Sequence, residues 1–380
     1  METDLAAAKS TTHSHSVLPS PSTIAKSRKN LHSTLPQIGQ GTHATNTHLQ
    51  TTILPALNRS SQSPNYYGFV TGGCTPAAAF ADNLVTETDQ NVQVHLPDET
   101  LATDVEDCAL RMVCGLLRLE VGDWGHRIFT TGATASNVVG LGCGREFVVA
   151  EAARRGGEKG VSVAEEGILG AMRAAGVEEV VVLATVPHSS LRKAVSVVGL
   201  GRSSVVDVGR VDAKHLFDFK ALEEQLARRG RVCIVAVSAA EVNTGFFATQ
   251  NYDDMAKLRK LCDEYGAWLH IDAAFGLLAR VLPPGQGYDK LIAGVAGLEL
   301  ADSITGDAHK MLNVVSKPRS HKHRTPLSTN NHTSPTTAVS SSPATSRPPQ
   351  TFSKTPTPHT STPPRVKRTP HPPNQPSPAP

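Results

Sequence analysis

Aromatic side chains are scarce: Phe, Tyr and Trp make up 4% of the 380 residues. That argues against a base-stacking nucleic-acid platform, which needs rings along a basic groove. Charge does not supply the groove either. The formal net charge is +3, with much of the basic excess in the terminal stretches, a weak field for a polyanionic partner. No apolar run is long enough to span a bilayer, and the N-terminus lacks the apolar core of a secretory signal. Cysteine is sparse as well. Cys74, Cys108, Cys114, Cys143, Cys233 and Cys262 form no Cys-x-x-Cys pair, so they read as buried, reduced thiols of a cytoplasmic protein.

Four regions follow from composition. Residues 1–50 read as a disordered arm, and residues 5–60, rich in Ser, Thr and His with few acids, are faintly like an organelle transit segment. Residues 51–120 read as an N-terminal helical segment, residues 121–314 as an alternating β/α body, and residues 315–380 as a disordered Pro/Ser/Thr-rich tail. In the second region Leu101, Val105, Cys108, Met112 and Leu116 recur at helical spacing and predict one buried helix face, capped by Asp98 or Thr100. In the third, short apolar strands at Ile128–Thr130, Val180–Leu183, Ser204–Val208, Val232–Val237 and Trp268–Ile271 alternate with helices, including Asp253–Tyr265, which Gly266 stops. This alternation predicts an α/β fold with a mostly parallel sheet covered on both faces.

Chemistry concentrates where those strands end. Phe129-Thr130-Thr131-Gly132-Ala133-Thr134-Ala135-Ser136-Asn137 joins a strand to a helix. A small-residue turn before free helix N–H groups suits a phosphate, with Thr134 and Ser136 adding hydroxyls. A plain Ser/Thr-capped turn is the competing reading. Gly140-Leu141-Gly142-Cys143-Gly144 lies inside the helix rather than before it; that excludes a dinucleotide loop and indicates close helix packing. His188, after Val180–Leu183, faces the crevice in which such sheets bind ligands, where an imidazole can stack on a flat ring and assist proton transfer; a simple cap is the alternative. Ser238–Gly245 ends another strand and either shapes the floor of a site or is an ordinary loop. His270-x-Asp272 and Asp307-x-His309 together lack the water and general base of a metal centre, so no metal is expected.

His270-Ile271-Asp272-Ala273-Ala274 stands about one strand-and-helix unit before Asp307-Ala308-His309-Lys310. A carboxylate ending an apolar strand, then a lysine beside a histidine, is what pyridoxal phosphate chemistry requires: the lysine forms a Schiff base with the cofactor aldehyde, and the carboxylate keeps the pyridine nitrogen protonated.

From Ile53 to Val314 these segments, with Tyr67–Gly73 and Asp89–Val92, resemble the group II pyridoxal phosphate-dependent amino-acid decarboxylases. The resemblance implies the large domain of PLP fold type I (aspartate-aminotransferase-like), with the C-terminal small domain missing. It implies Lys310 and His188 as catalytic residues, and Ala133, Thr134, His188, Thr244, Asp272, Ala274, His309 and Lys310 around the cofactor. It also implies a homodimer, an amino-acid substrate, and Tyr66, Tyr67 and Phe69 at the substrate mouth, which slightly favours an aromatic amino acid. Glu241, where a small hydroxyl residue is usual, and Asp307, where some members carry an amide, depart from the pattern; an anionic Asp307 cannot donate to phosphate. The abrupt change at Val315 is what an unspliced intron or a misplaced gene boundary would produce. Two rivals remain: another PLP lyase of the aldolase type, and a catalytically dead domain that partners a full-length paralogue.

Overall fold

The computed structural model describes residues 17–63, 65, 66, 68, 72–314 and, for the backbone, 336–340. The chain separates into a body at residues 1–343 and a segment at 344–380, the latter outside the described residues. The helices in chain order are α1 (Pro21–Lys29), α2 (Gly41–His48), α3 (Pro76–Thr88), α4 (Ala102–Leu116), α5 (Ala133–Gly156), α6 (Val163–Ala174), α7 (Ser189–Val197), α8 (Phe219–Leu226), α9 (Tyr252–Tyr265), α10 (Asp289–Gly294) and α11 (Ala308–Met311). The strands are β1 (His126–Thr130), β2 (Glu179–Ala184), β3 (Val205–Asp207), β4 (Arg231–Ser238), β5 (Trp268–Asp272), β6 (Ser303–Asp307) and β7 (Thr336–Ser340).

The strands form one sheet in the order β1-β7-β6-β5-β4-β2-β3. Neighbours from β6 to β3 pair in parallel, and β7 runs antiparallel to both β1 and β6. Because successive strand residues point to opposite faces, each strand feeds two cores. Val181, Leu183, Val235, Val237, Leu269 and Ile271 pack with α8 and α9 on one side. Val180, Val182, Ile234, Ala236 and Trp268 pack with α5, α6 and α7 on the other. Both faces are therefore covered, as continuous apolar strands demand.

The structure corrects four expectations. First, the arm at 1–50 is not without order where it is described. Ser20 accepts a hydrogen bond from the Thr23 N–H and Pro21 opens α1, with Lys26, Arg28 and Lys29 in the last turn. These are local start and stop signals that need no core.

Second, α4 buries a different face. Leu110 and Cys114 are buried and Leu117 follows them, whereas Val105 and Met112 are 63% and 69% exposed. The helix carries apolar residues on two sides, so spacing alone does not choose between them. Its cap is Leu101, with the Thr100 hydroxyl accepting the Ala102 N–H.

Third, the tail contributes a strand. Thr336–Ser340 supplies the backbone hydrogen bonds between β1 and β6, a ladder that needs no apolar side chain. Fourth, the cysteines divide: Cys114, Cys233 and Cys262 are buried, but Cys108 and Cys143 are exposed.

Candidate active site

The carboxyl ends of β1, β2, β4, β5 and β6 meet around a cavity of about 410 Å³, the crevice position at which parallel sheets bind ligands. After β1, Gly132 adopts φ 149°, a backbone region only glycine enters freely. It turns the chain into α5, whose first residues Ala133, Thr134 and Ala135 line the cavity beside Thr131 and Gly132. No side chain caps this helix, so its first N–H groups and the positive end of its dipole face the cavity. Ser136 is not among the cavity-lining residues. It is buried, and its hydroxyl lies 2.6 Å from that of Thr130.

His188, after β2, is both cap and cavity wall. Its Nδ1 accepts the Ser190 N–H at 3.3 Å and lies 2.8 Å from the Ser190 hydroxyl. With Nδ1 accepting, the neutral ring carries its proton on Nε2. After β4, Glu241 takes the N–H groups of Asn243 and Thr244 and the Thr244 hydroxyl. Thr244, expected beside a cofactor, is spent on this turn and does not line the cavity. Glu241 does line it, but that carboxylate is committed to its own loop.

Asp272 ends β5, paired in register with Ser238 and Thr305. Its Oδ2 accepts the Asn137 amide at 2.9 Å and its Oδ1 the Ala274 N–H at 3.4 Å. Burial pushes this carboxyl above the ordinary range, opposed by those two hydrogen bonds and by the charge of Lys310. Ala274 and Phe275 follow on the cavity wall.

At the end of β6, Lys310 Nζ pairs with Asp307 Oδ2 at 2.6 Å and lies 3.8 Å from the Phe275 ring centroid. Asp307 Oδ1 and His309 Nδ1 are buried without a hydrogen-bond partner, and they stand 3.7 Å apart. Burial, partly opposed by Asp307, holds the His309 imidazole below its usual value. Phe275 and Asp307 were not assigned site roles from the sequence. The aromatic next to Ala274 and the acid three residues before Lys310 were the available signals.

Of the residues expected at the substrate mouth, Tyr66 does not line the cavity; Tyr67 and Phe69 lie outside the described residues. Gly72 packs against the Asn313 side chain, and the Thr75 N–H donates to the Asn313 carbonyl at 2.9 Å. Among the described residues no His, Cys, Asp and Glu cluster could hold a metal ion, and no helix is long and apolar enough to cross a membrane.

The arrangement suits pyridoxal phosphate. It offers an uncapped helix start for a phosphate, a half-buried carboxylate for a ring nitrogen, an amine for an aldehyde, and orphaned polar atoms beside that amine. The sequence profile of the pyridoxal-dependent decarboxylase conserved domain matches residues 25–318. The chain belongs to the pyridoxal-dependent decarboxylase family. Over 189 residues it is 32% identical to an L-2,4-diaminobutyrate decarboxylase of Acinetobacter baumannii, a match covering 48% of this chain and 34% of that one. Over 263 residues it is 27% identical to tyrosine decarboxylase 2 of Arabidopsis thaliana, covering 68% and 44%. The chain thus spans less than half the length of these relatives.

Among solved structures it resembles Oryza sativa TDC with PLP, at TM-score 0.61 and 21% identity, covering 86% of this chain and 62% of that one. It also resembles the glutamate decarboxylase domain of a Vibrio parahaemolyticus diaminobutyrate protein, at TM-score 0.63 and 17% identity, covering 89% and 64%. At those identities the likeness speaks for the fold alone: this is the large-domain α/β architecture of the PLP decarboxylases.

One pH effect arises here. His270, buried behind Asp272, is held by desolvation at about 4, below its ordinary 6.5. An unfolded chain therefore takes up the proton first as pH falls. The stabilisation is complete above pH 6.5 and is lost progressively toward pH 4, by about 3 kcal/mol. The raised Asp272 carboxyl acts in the opposite sense. Urea midpoints at pH 7 and 4.5, compared between the native chain and His270→Gln, isolate the histidine: the native midpoint should drop by more.

Proposed function

We propose that this chain is the cofactor-holding part of an enzyme that decarboxylates an L-amino acid with pyridoxal phosphate. The observation that carries the reading is the convergence of Lys310, Asp272 and the open start of α5 on one cavity. Pyridoxal phosphate, when bound, supplies an aldehyde that condenses with amines and a ring that takes up the electron pair left when CO2 departs. Thr131 to Ala135 would hold the phosphate against the helix dipole, with His309 beside it. Asp272 would keep a proton on the ring nitrogen, and its half-buried, partly desolvated setting strengthens that contact. His188 and Ala274 would flank the ring. Lys310 would hold the aldehyde until the substrate amine replaces it.

In the net reaction the bond from Cα to the carboxylate breaks, CO2 leaves and one proton takes its place on Cα. His188 Nε2–H is the proton-bearing atom on this wall of the cavity. The tyrosine decarboxylase relative and the resemblance of the Tyr66–Gly73 segment to the family's substrate-mouth segment support an aromatic substrate. The diaminobutyrate relative makes a diamino acid the competing substrate class. The exposed Phe80 and Leu84 of α3 and the exposed Val105 and Met112 of α4 support a homodimer that covers them.

Incubation of the full chain with pyridoxal phosphate and single L-amino acids should release CO2 and the matching amine in equal amounts. Release of an aldehyde without CO2 would favour the aldolase-type lyase. No turnover despite stoichiometric cofactor binding would favour the inactive partner domain.

A further inference from the structure

The glycine run inside α5 and the indole of Trp268 play no part in the chemistry above, yet both pack against the support of Asp272. Gly140 and Gly144 face the sheet. A Cβ on Gly140 would lie 2.6 Å from His270 Cε1, and one on Gly144 would lie 2.7 Å from Trp268 Cδ1. Gly142 has open space around its Cβ position. The two inward glycines therefore form a socket for a buried imidazole and a buried indole.

Those rings belong to a continuous set of hydrogen bonds. Trp268 Nε1 donates to Ser303 Oγ at 2.9 Å. Ser303 Oγ lies 2.8 Å from His270 Nδ1, and His270 Nε2 lies 3.0 Å from Asn137 Oδ1. The Asn137 amide nitrogen donates to Asp272 Oδ2 at 2.9 Å. Asn137, His270 and Ser303 are almost wholly buried, so water does not share these contacts.

The two ends fix the direction of the whole chain. An indole N–H can only donate, and an ionised carboxylate can only accept. Between them stand three groups that can each do either. Only one arrangement gives each of them a donor and an acceptor. Ser303 receives from Trp268 and donates to His270 Nδ1. The imidazole is neutral with its proton on Nε2, which donates to Asn137 Oδ1. That leaves the Asn137 amide nitrogen facing Asp272. If Asn137 turned over, its carbonyl would face the carboxylate and its NH2 would face the imidazole. The ring would then carry its proton on Nδ1, and Ser303 would accept from both the indole and the imidazole, leaving its own hydroxyl without an acceptor in this chain of hydrogen bonds.

We propose that Trp268, Ser303, His270 and Asn137 form a directional positioning relay that holds Asp272 in register for the cofactor ring, with His270 locked as the neutral Nε2–H tautomer. The role toward the cofactor rests on the reading given under Proposed function; the tautomer does not. Asn137 touches Asp272 directly, while His270, Ser303 and Trp268 act through it. All four are positioning residues.

Two measurements test this. In the cofactor-free full chain labelled with 15N-histidine, the His270 resonances, assigned by their loss in His270→Gln, should report Nε2–H at pH 7. In pyridoxal phosphate titrations His270→Gln, which keeps a donor toward Asn137, should bind within about threefold of the native chain. His270→Leu frees Asn137 to turn over and should bind about tenfold to a hundredfold more weakly. A merely structural histidine would lower the unfolding midpoint in both variants and leave the folded fractions with equal affinity. An Nδ1–H or protonated His270, or equal affinities for Gln and Leu, overturns the relay. Failure of the native chain to bind pyridoxal phosphate would instead overturn the cofactor reading, with the tautomer still deciding the hydrogen-bond chain.

Discussion

Asp272→Asn is expected to weaken pyridoxal phosphate binding by about a hundredfold to a thousandfold. The substitution keeps the shape of the side chain and removes its charge. In a buried site, taking away one partner of a hydrogen-bonded charge pair costs about 3–5 kcal/mol, because the other charge is left without compensation. Asp272 stands where that penalty is large: burial raises its carboxyl, and the Asn137 and Ala274 hydrogen bonds and the Lys310 charge oppose that shift. The uncharged amide that replaces the carboxylate still packs against Asn137, so the fold should survive. Equilibrium titration followed by cofactor fluorescence measures the change. An affinity within about threefold of the native chain would show that Asp272 does not face the ring nitrogen.

Lys310→Ala should abolish any borohydride-trappable pyridoxal phosphate adduct and should also destabilise the chain. The second effect arises because Asp307, with its side chain 1% exposed, has Lys310 as its counter-ion at 2.6 Å. Stranding that carboxylate costs about 3–5 kcal/mol. Lys310→Arg separates the two roles. A guanidinium keeps the positive charge beside Asp307 and the Phe275 ring, but it has no amine to condense with an aldehyde. The Arg variant should therefore melt closer to the native chain than the Ala variant does, while trapping no more cofactor. Trapping retained in either variant would move the reactive amine to another lysine.

The body of the fold was legible because its signals are local and redundant. In α9, Met255, Leu258, Leu261 and Cys262 share one face and are all buried; Gly266 ends the helix at φ 70°. Val180–Leu183 was readable as a buried strand because both its faces are apolar. The reading failed where tertiary contacts choose among local options. Apolar residues on both sides of α4 made its buried side undecidable. Ser136 and Thr134 look alike in sequence, yet the helix rotation sends one to the Thr130 hydroxyl and the other to the cavity. Thr244 was placed beside the cofactor by family pattern, but Glu241, a departure from that pattern, takes its N–H and hydroxyl. β7 carries no signal of its own, since its place is set by the unpaired edges of β1 and β6.

That Asp272, His188, His309 and Lys310 line one cavity was legible because each stands at, or within a few residues after, the carboxyl end of a strand. Its support was not. Asn137 lies 135 positions from Asp272 in the chain, and Ser303 lies 33 from His270. No periodicity links such residues. The one available sign was a polar Asn inside an apolar helix beside glycines that read only as packing.

The central claim is that this cavity holds pyridoxal phosphate through Lys310. Peptide mapping by mass spectrometry, after borohydride reduction of the full chain with stoichiometric cofactor, tests it most directly. The account predicts one modified peptide, with the pyridoxyl group on Lys310. Label spread over surface lysines, or none on the peptide that contains His309 and Lys310, would contradict it.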